Sequence, residues 1–342
     1  MAGMSMRISL DPWAEDAPNP QAGLNAHQGN VESQLEVKRW QHLKGTSVPP
    51  TLKTLHVVDG TRRLDARVLV SGDHSPLYGG FGIYAVGHAC LKLDSGQAKI
   101  EGLESERTLL VSGQASGDDV ALNLPKGGSG KLVYRLTCDP RARNERQTPL
   151  SMLQSLMLRR EQSLSRGLAM DLETVEGGQL ELDTLVLQDG RIDIGSEDKL
   201  ILGYIKTLET EYLGLEEKAL LLGLQCGERT PIFYFQYGDA SRGRYSWYVR
   251  LCDPQPYQPQ GAGLVRLEMT APEDFERIPR VVRKVADFSP ALLGRLSSLA
   301  HKDRRAPQNL IPTGALEREL SRRLGDPALI ARRIRQWVMA QV

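Results

Sequence analysis

Cysteine is scarce in this chain, and what there is makes no pattern. Four cysteines stand in 342 residues, Cys90, Cys138, Cys226 and Cys252, with no C-x-x-C pair among them. That excludes a disulfide framework and argues against a zinc site, and it points to free thiols in a reducing cytoplasm. No apolar run approaches 18 residues, so no membrane span is expected. The first twenty residues, MAGMSMRISLDPWAEDAPNP, lack the apolar core of a signal peptide and turn acidic early, so the expected location is cytoplasmic. Net charge is nearly absent too, at +1, and by itself points to no partner. The glycine-rich PKGGSG (125–130) lacks the spacing of a phosphate-binding loop and reads as a turn. No internal repeat is present.

Hydrophobic residues make up 40% and charged residues 25%, the balance of an ordinary globular protein with a core of some size. The charge is unevenly placed. Between Arg277 and Arg335 there are 14 Lys and Arg against 5 Asp and Glu; between Asp171 and Asp198 there are 9 Asp and Glu against one Arg. A basic C-terminal face beside an acidic middle suits a protein that holds a polyanion near bound cations. The plain alternative is a set of solvated helix faces.

Residues 1–30 are polar and rich in Pro, Gly, Asn and Gln, the composition of a disordered or partner-docking segment. Val31–Lys44, with Val31, Leu35, Val37 and Trp40, has helical spacing, which predicts an N-terminal helix within 31–48 ahead of a short SVPP linker. One large region, 50–342, follows. Its first part (50–138) is β-rich, in segments such as TLHVVDG, DARVLVSG and GGFGIYAVGHACLKL. The middle (149–251) holds a helix from Pro149 to about Ala169, strands at Leu182–Gln188 and Leu200–Thr207, a helix within LETEYLGLEEKALLLGL, and strands in TPIFYFQYG and YSWYVRL. The basic tail (271–342) reads as helices in FERIPRVVRKVADF, PALLGRLSSLAHK, ALERELSRRLG and PALIARRIRQWVMAQ. Strands first, then alternating helix and strand, predict an α/β fold with a mixed sheet flanked by helices, additional β-strands and a C-terminal helical region.

Two apolar runs end on the same dipeptide, Asp59-Gly60 and Asp189-Gly190. Asp-Gly is a good hairpin turn, and VVDGTRRLDARVLV reads equally as strand, turn and strand. The helix from Pro149 adds a third carboxylate. Leu153, Met157, Leu164 and Leu168 form its apolar stripe, and Glu161 falls on that stripe. Burying a carboxylate there is costly unless it is paired or bound to metal; an edge position, or pairing with Arg159, Arg160 or Arg166, is the plainer reading. If the strands ending at Asp59 and Asp189 are neighbours, the three carboxylates converge. They then cannot all stay ionised without cations. Oxygen-only ligation selects Mg2+ or Mn2+, and two such ions about 3.5–4 Å apart suit phosphodiester hydrolysis.

These segments resemble the NurA nucleases of DNA double-strand-break repair. The resemblance rests on VVDGTRR (57–63), LRREQSLSRGLA (158–169), LVLQDGRI (185–192), LGYIKT (202–207) and APQNLIPTGALERELSRRLG (306–325), over roughly residues 50–330. It implies an RNase H-like core and Mn2+-dependent 5′ to 3′ exonuclease and endonuclease activity, with Mg2+ as a substitute and two ions in the site. It also implies a homodimer working with a HerA-type hexameric ATPase on single-stranded DNA or duplex ends, at the nucleoid and not at a membrane. Asp59, Glu161 and Asp189 match the metal-binding carboxylates, and Lys206 matches a lysine that contacts phosphate. Many relatives carry Tyr-Pro near the C-terminus and a His eight residues after the Tyr; here Ala306-Pro307 and Gly314 hold those places. Asn309 or Glu317 is the expected substitute ligand, Glu317 also being placed to open a helix. His301 lies nearby but out of register. Arg62, Arg63, Arg160, Arg304, Arg305, Arg322 and Arg323 are the expected phosphate contacts. A non-catalytic DNA-end clamp or translocase adaptor on the same fold is the alternative. An actin-like ATPase is disfavoured, because DGRIDIG does not supply the second phosphate loop.

Overall fold

A computed structural model describes residues 25–26, 29–70, 76–115, 117–123, 130–192, 196, 198–208, 210–236, 243–256, 258, 260–272 and 274–340. Most of the expected N-terminal docking segment therefore lies outside the described residues. The first strands are β1 (Asn25–Ala26), β2 (Val31–Glu32), β3 (Leu43–Lys44), β4 (Thr54–Val70), β5 (Leu77–Lys92), β6 (Gln97–Ser112), β7 (Val120–Asn123) and β8 (Lys131–Asp139). Helices α1 (Thr148–Leu168) and α2 (Leu172–Glu176) follow, then β9 (Thr184–Asp189), β10 (Ile201–Ile205), β11 (Thr210–Glu211) and α3 (Leu215–Gly223). The chain ends with β12 (Glu228–Arg229), β13 (Phe233–Phe235), β14 (Arg244–Arg250), β15 (Leu264–Thr270), α4 (Arg280–Gly294), α5 (Ile311–Leu324) and α6 (Pro327–Met339). Among the described residues no helix is long and apolar enough to cross a membrane.

The chain divides into two compact units. The first takes residues up to Val57, then Cys90–Ala98 and Ser165–Gly314; the second takes Val58–Ala89, Lys99–Leu164 and Ala315–Val342. In the first unit the strands run in the order β2-β13-β14-β15-β10-β9. β9 and β10 are parallel, while β10–β15, β15–β14, β14–β13 and β13–β2 are antiparallel, so the sheet is mixed. The start of β4 docks beside the start of β9, where the backbone N–H groups of Lys53 and Thr54 both donate to Asp183 O. β9 and β10 are nearly continuous apolar runs because both faces are covered. In the second unit the order is β4-β5-β6-β8-β7, with β6 parallel to β8 and β7 antiparallel to it. Leu153 and Met157 of α1 pack there with Tyr84, Val86 and Leu110, and Leu316, Leu320 and Leu324 of α5 pack with Ile83 and Ala85. An α/β architecture with mixed sheets and helices is thus present, including a helical C-terminal region.

Several local expectations change. Residues 31–48 hold no helix; they carry β2 and β3, with bends between them. The cause is long-range. The Glu36 carboxylate forks onto Arg229 at 2.8 Å for each guanidinium nitrogen and accepts from Ile232 N, while Trp40 packs 6.2 Å from Phe233. Asp59-Gly60 is no turn, since β4 runs unbroken through it for 17 residues. The two helices expected on either side of Pro290 are one helix to Gly294, with Pro290 inside it. Proline cannot donate to the carbonyl four residues back, and Ser289 Oγ donates to that carbonyl, Ala286 O, at 2.9 Å. α5 begins at Ile311, so Glu317 lies in its second turn and does not open it.

Candidate functional site

Two clusters of expected site residues form, one in each unit. In the second unit, Glu161 lies on the buried stripe of α1, where Leu153, Met157, Glu161 and Ser165 recur every four residues and are all buried. Glu161 is 3% exposed and Asp59 7%. Gly60 follows Asp59 and faces Glu161. Asp59 Oδ1 accepts from Gly60 N at 2.8 Å. From the helix side, Glu161 Oε1 stands 2.3 Å from the point a Cβ on Gly60 would occupy. Any side chain at position 60 would collide with that carboxylate, so the missing Cβ is what admits Glu161 to the strand. Arg62, two residues on, is half-buried, and its Nε has no hydrogen-bond partner among the described residues. Burial holds its guanidinium below the ordinary pKa, and the Glu161 charge acts against that shift. Glu161 and a partly desolvated cation thus share the face of β4 that carries this backbone gap.

In the first unit, Asp189 ends β9, and Gly190 turns the chain at φ +89°, in the left-handed region that glycine favours. Asp189 Oδ2 pairs with Lys206 Nζ at 2.6 Å. Lys206 also donates to Asn309 Oδ1 at 3.0 Å, and Asn309 Nδ2 donates to Asp303 Oδ2 at 2.7 Å. Asn309 is fully buried, so both ends of its amide are fixed by partners of opposite demand. Burial pushes the Asp303 carboxyl up, but the hydrogen bonds from Asn309 and from Arg305 N, with the Arg305 charge, hold it below its usual range. Tyr204 is buried beside this chain of contacts; burial, and then the Asp189 charge, push its hydroxyl well above the usual tyrosine value. Its O–H donates to Gln308 O at 2.6 Å and pins the loop that carries Asn309.

The structure therefore brings Glu161 against Gly60, the residue after Asp59, and Asp189 to Lys206 and Asn309. Among the described residues, no group of three or more His, Cys, Asp and Glu is arranged to hold a metal ion. Glu161, at the gap that a Cβ on Gly60 would fill, and Asp59 are hard oxygen donors of the kind a divalent cation keeping several of its waters takes. Asp303 and Tyr204 carry no sequence signal of their own; Asp303 lies in a run of charge, and Tyr204 in an apolar strand.

No family model matches this chain, and no curated protein matches it. Six chains of solved structures match. One is a cysteine-substituted catalytic domain of human endonuclease V, with 13% identity over 82% of this chain and 89% of that one and a TM-score of 0.30. A likeness that distant carries neither the fold nor the activity.

The arginines divide by use. Arg63 donates to Gly325 O at 2.9 Å and Leu324 O at 3.0 Å, the open carbonyls at the end of α5, and its Nε donates to Asp65 at 2.7 Å. Arg107 joins it on Leu324 O. Arg160 pairs with Glu104, Arg322 with Glu319 at 2.8 Å, and Arg305 lies 3.6 Å from Asp303. Arg304 and Arg323 are exposed, as is His301. Since Arg63 caps a helix end, Arg63→Ala is expected to lower stability by about 1–2 kcal/mol, whereas Arg323→Ala at an exposed position is expected to leave it within about 0.5 kcal/mol. Denaturant unfolding of both variants checks this; unchanged stability in Arg63→Ala would contradict the capping role.

Proposed function

We propose that this chain is a divalent-metal-dependent DNA nuclease of the NurA type, an RNase H-like homodimer that resects DNA ends with a HerA-type hexameric ATPase. The observation that supports it most is Glu161, a carboxylate buried on an apolar helix stripe and admitted to the strand next to Asp59 by the absence of a side chain at Gly60. An ordinary packing helix would place leucine or methionine there. Asp59 and Glu161 would hold Mn2+ or Mg2+, which when bound supplies positive charge to activate water and to offset charge on the leaving oxygen of a phosphodiester. Arg62 moderates the Glu161 charge and orients the DNA backbone. Lys206, held by Asp189 and Asn309, fixes a phosphate oxygen in place. The arginines exposed along the tail position phosphates without reading bases, so affinity should fall linearly with log salt, at a slope near −0.9 per duplex phosphate neutralised.

Asn309 was expected as a metal ligand, but its amide oxygen accepts from Lys206, which favours a role in orienting that ammonium. Asn309→Ala is accordingly expected to slow cleavage about tenfold at an unchanged half-saturating Mn2+ concentration. A raised Mn2+ requirement would restore the ligand role.

The test of the reading is linear DNA labelled at either end, incubated with the purified chain and Mn2+, Mg2+ or EDTA, with and without the ATPase. Metal-dependent release of label, abolished by EDTA, is the expected result. Tight DNA binding without cleavage in any metal would favour the end-clamp alternative. The Tyr-Pro and His positions filled by Ala306-Pro307 and Gly314 give that alternative its support.

A further inference from the structure

We infer that Arg244 and Glu268, two buried side chains on neighbouring strands, are positioning residues that clamp both backbone groups of Ile192 and so fix the turn presenting Asp189. The inference rests on the reading of Asp189 as a residue of the nuclease site.

Beyond Asp189 the chain leaves the sheet. Gly190 N still donates to Tyr204 O at 2.8 Å, and Gln188 Nε2 reaches forward to Arg191 O at 3.0 Å. The next fixed point is Ile192, which has no strand partner for its N–H or its C=O among the described residues. Ile192 N donates instead to Glu268 Oε1 at 3.0 Å, and Arg244 Nη2 donates to Ile192 O at 3.1 Å. Arg244 is 1% exposed and Glu268 fully buried. Glu268 Oε2 accepts from Arg266 at 2.8 Å, and the Arg266 guanidinium lies 4.7 Å from the Tyr212 ring centroid. An arginine and a glutamate are thus buried to hold one peptide segment. Apolar packing of similar volume is commonly as stable or more stable, so stability alone does not account for the arrangement. What it uniquely provides is a fixed direction for both polar groups of Ile192. That locks the Gly190–Ile192 turn from its far end, while Tyr204 O locks the near end. The Asp189 carboxylate at the start of that turn is then held toward Lys206.

Full-length variants test this through steady-state cleavage of linear DNA with Mn2+. Arg244 pairs with no carboxylate among the described residues, so Arg244→Met strands no buried negative charge. Its kcat is expected to fall about tenfold or more with KM for DNA and the thermal midpoint near wild type, and Arg244→Lys, which keeps a cationic donor, recovers part of the loss. Wild-type kcat in Arg244→Met, or no recovery in Arg244→Lys, would overturn the inference. Hydrogen exchange on the unmodified protein covers the case in which the variants do not fold. The Ile192 and Gly190 amides should exchange as slowly as those inside β10, and exchange at open-loop rates would overturn the inference whatever the activity. If the wild-type protein cuts no DNA with any metal, the nuclease reading fails on its own. The clamp is then judged by exchange alone: Glu268→Gln should speed exchange at Ile192, and unchanged exchange there would refute it.

Discussion

Asp59→Ala is expected to lower Mn2+-stimulated DNA cleavage by about 10³-fold, equivalent to roughly 4 kcal/mol of transition-state stabilisation, while DNA affinity stays within about twofold. The asymmetry follows from placement. Asp59 is 7% exposed, too deep to contribute to the phosphate-binding surface, and removing a buried negative charge does not weaken attraction for a polyanion. The exposed arginines of the tail remain. What is lost is one of the two carboxylates beside Gly60 and the acceptor for Gly60 N. Single-turnover rates at saturating DNA, paired with fluorescence anisotropy, separate the two effects. Cleavage within tenfold of wild type would remove Asp59 from the chemistry.

Gly60→Ala should be nearly as damaging, for a purely steric reason. The backbone at Gly60 does not occupy the left-handed region, so alanine meets no backbone strain. Its Cβ would, however, stand 2.3 Å from Glu161 Oε1 and 3.0 Å from Met157 Cγ. Real Cβ contacts do not come that close to oxygen, so the carboxylate must swing away or α1 must lift. Overpacking of this kind costs about 1–3 kcal/mol of stability. Displacing a carboxylate proposed to hold the cation is expected to cost about 10²-fold in rate, because a misplacement of about 1 Å carries a penalty of that order. A methyl group added to an ordinary strand glycine would do neither. Thermal unfolding and cleavage rates measured together check the prediction, and Gly60→Ala with wild-type rates would show that Glu161 has no place in the reaction.

Glu161 was legible from its stripe, because helical periodicity is local and one carboxylate among leucines and methionine stands out. The buried strands β9 and β10 were legible as short, nearly continuous apolar runs. The Asp59-Gly60 pair was not. The dipeptide signals a turn in most sequences, and only the position of Glu161, about a hundred residues away, shows that glycine is there to make room. Strand β15 carried no marked signal, since Arg266 and Glu268 interrupt its apolar run; they are tolerated because they pair with each other at 2.8 Å inside the sheet. The non-helical course of residues 31–48 depends on Arg229 and Phe233, nearly two hundred positions on, and helical spacing in that segment could not reveal it. Asn309 was legible as a constrained polar residue between two prolines, but its partners Lys206 and Asp303 were not.

The central claim, that the buried carboxylates beside Gly60 hold a divalent cation, is tested most directly by titrating Mn2+ into the DNA-free protein by calorimetry, for wild type, Asp59→Ala and the isosteric Glu161→Gln. The account predicts saturable Mn2+ binding to the wild-type protein that is lost or strongly weakened in both variants, with their folds retained by circular dichroism. No binding to the wild type, or the same binding isotherm in all three proteins, would contradict it.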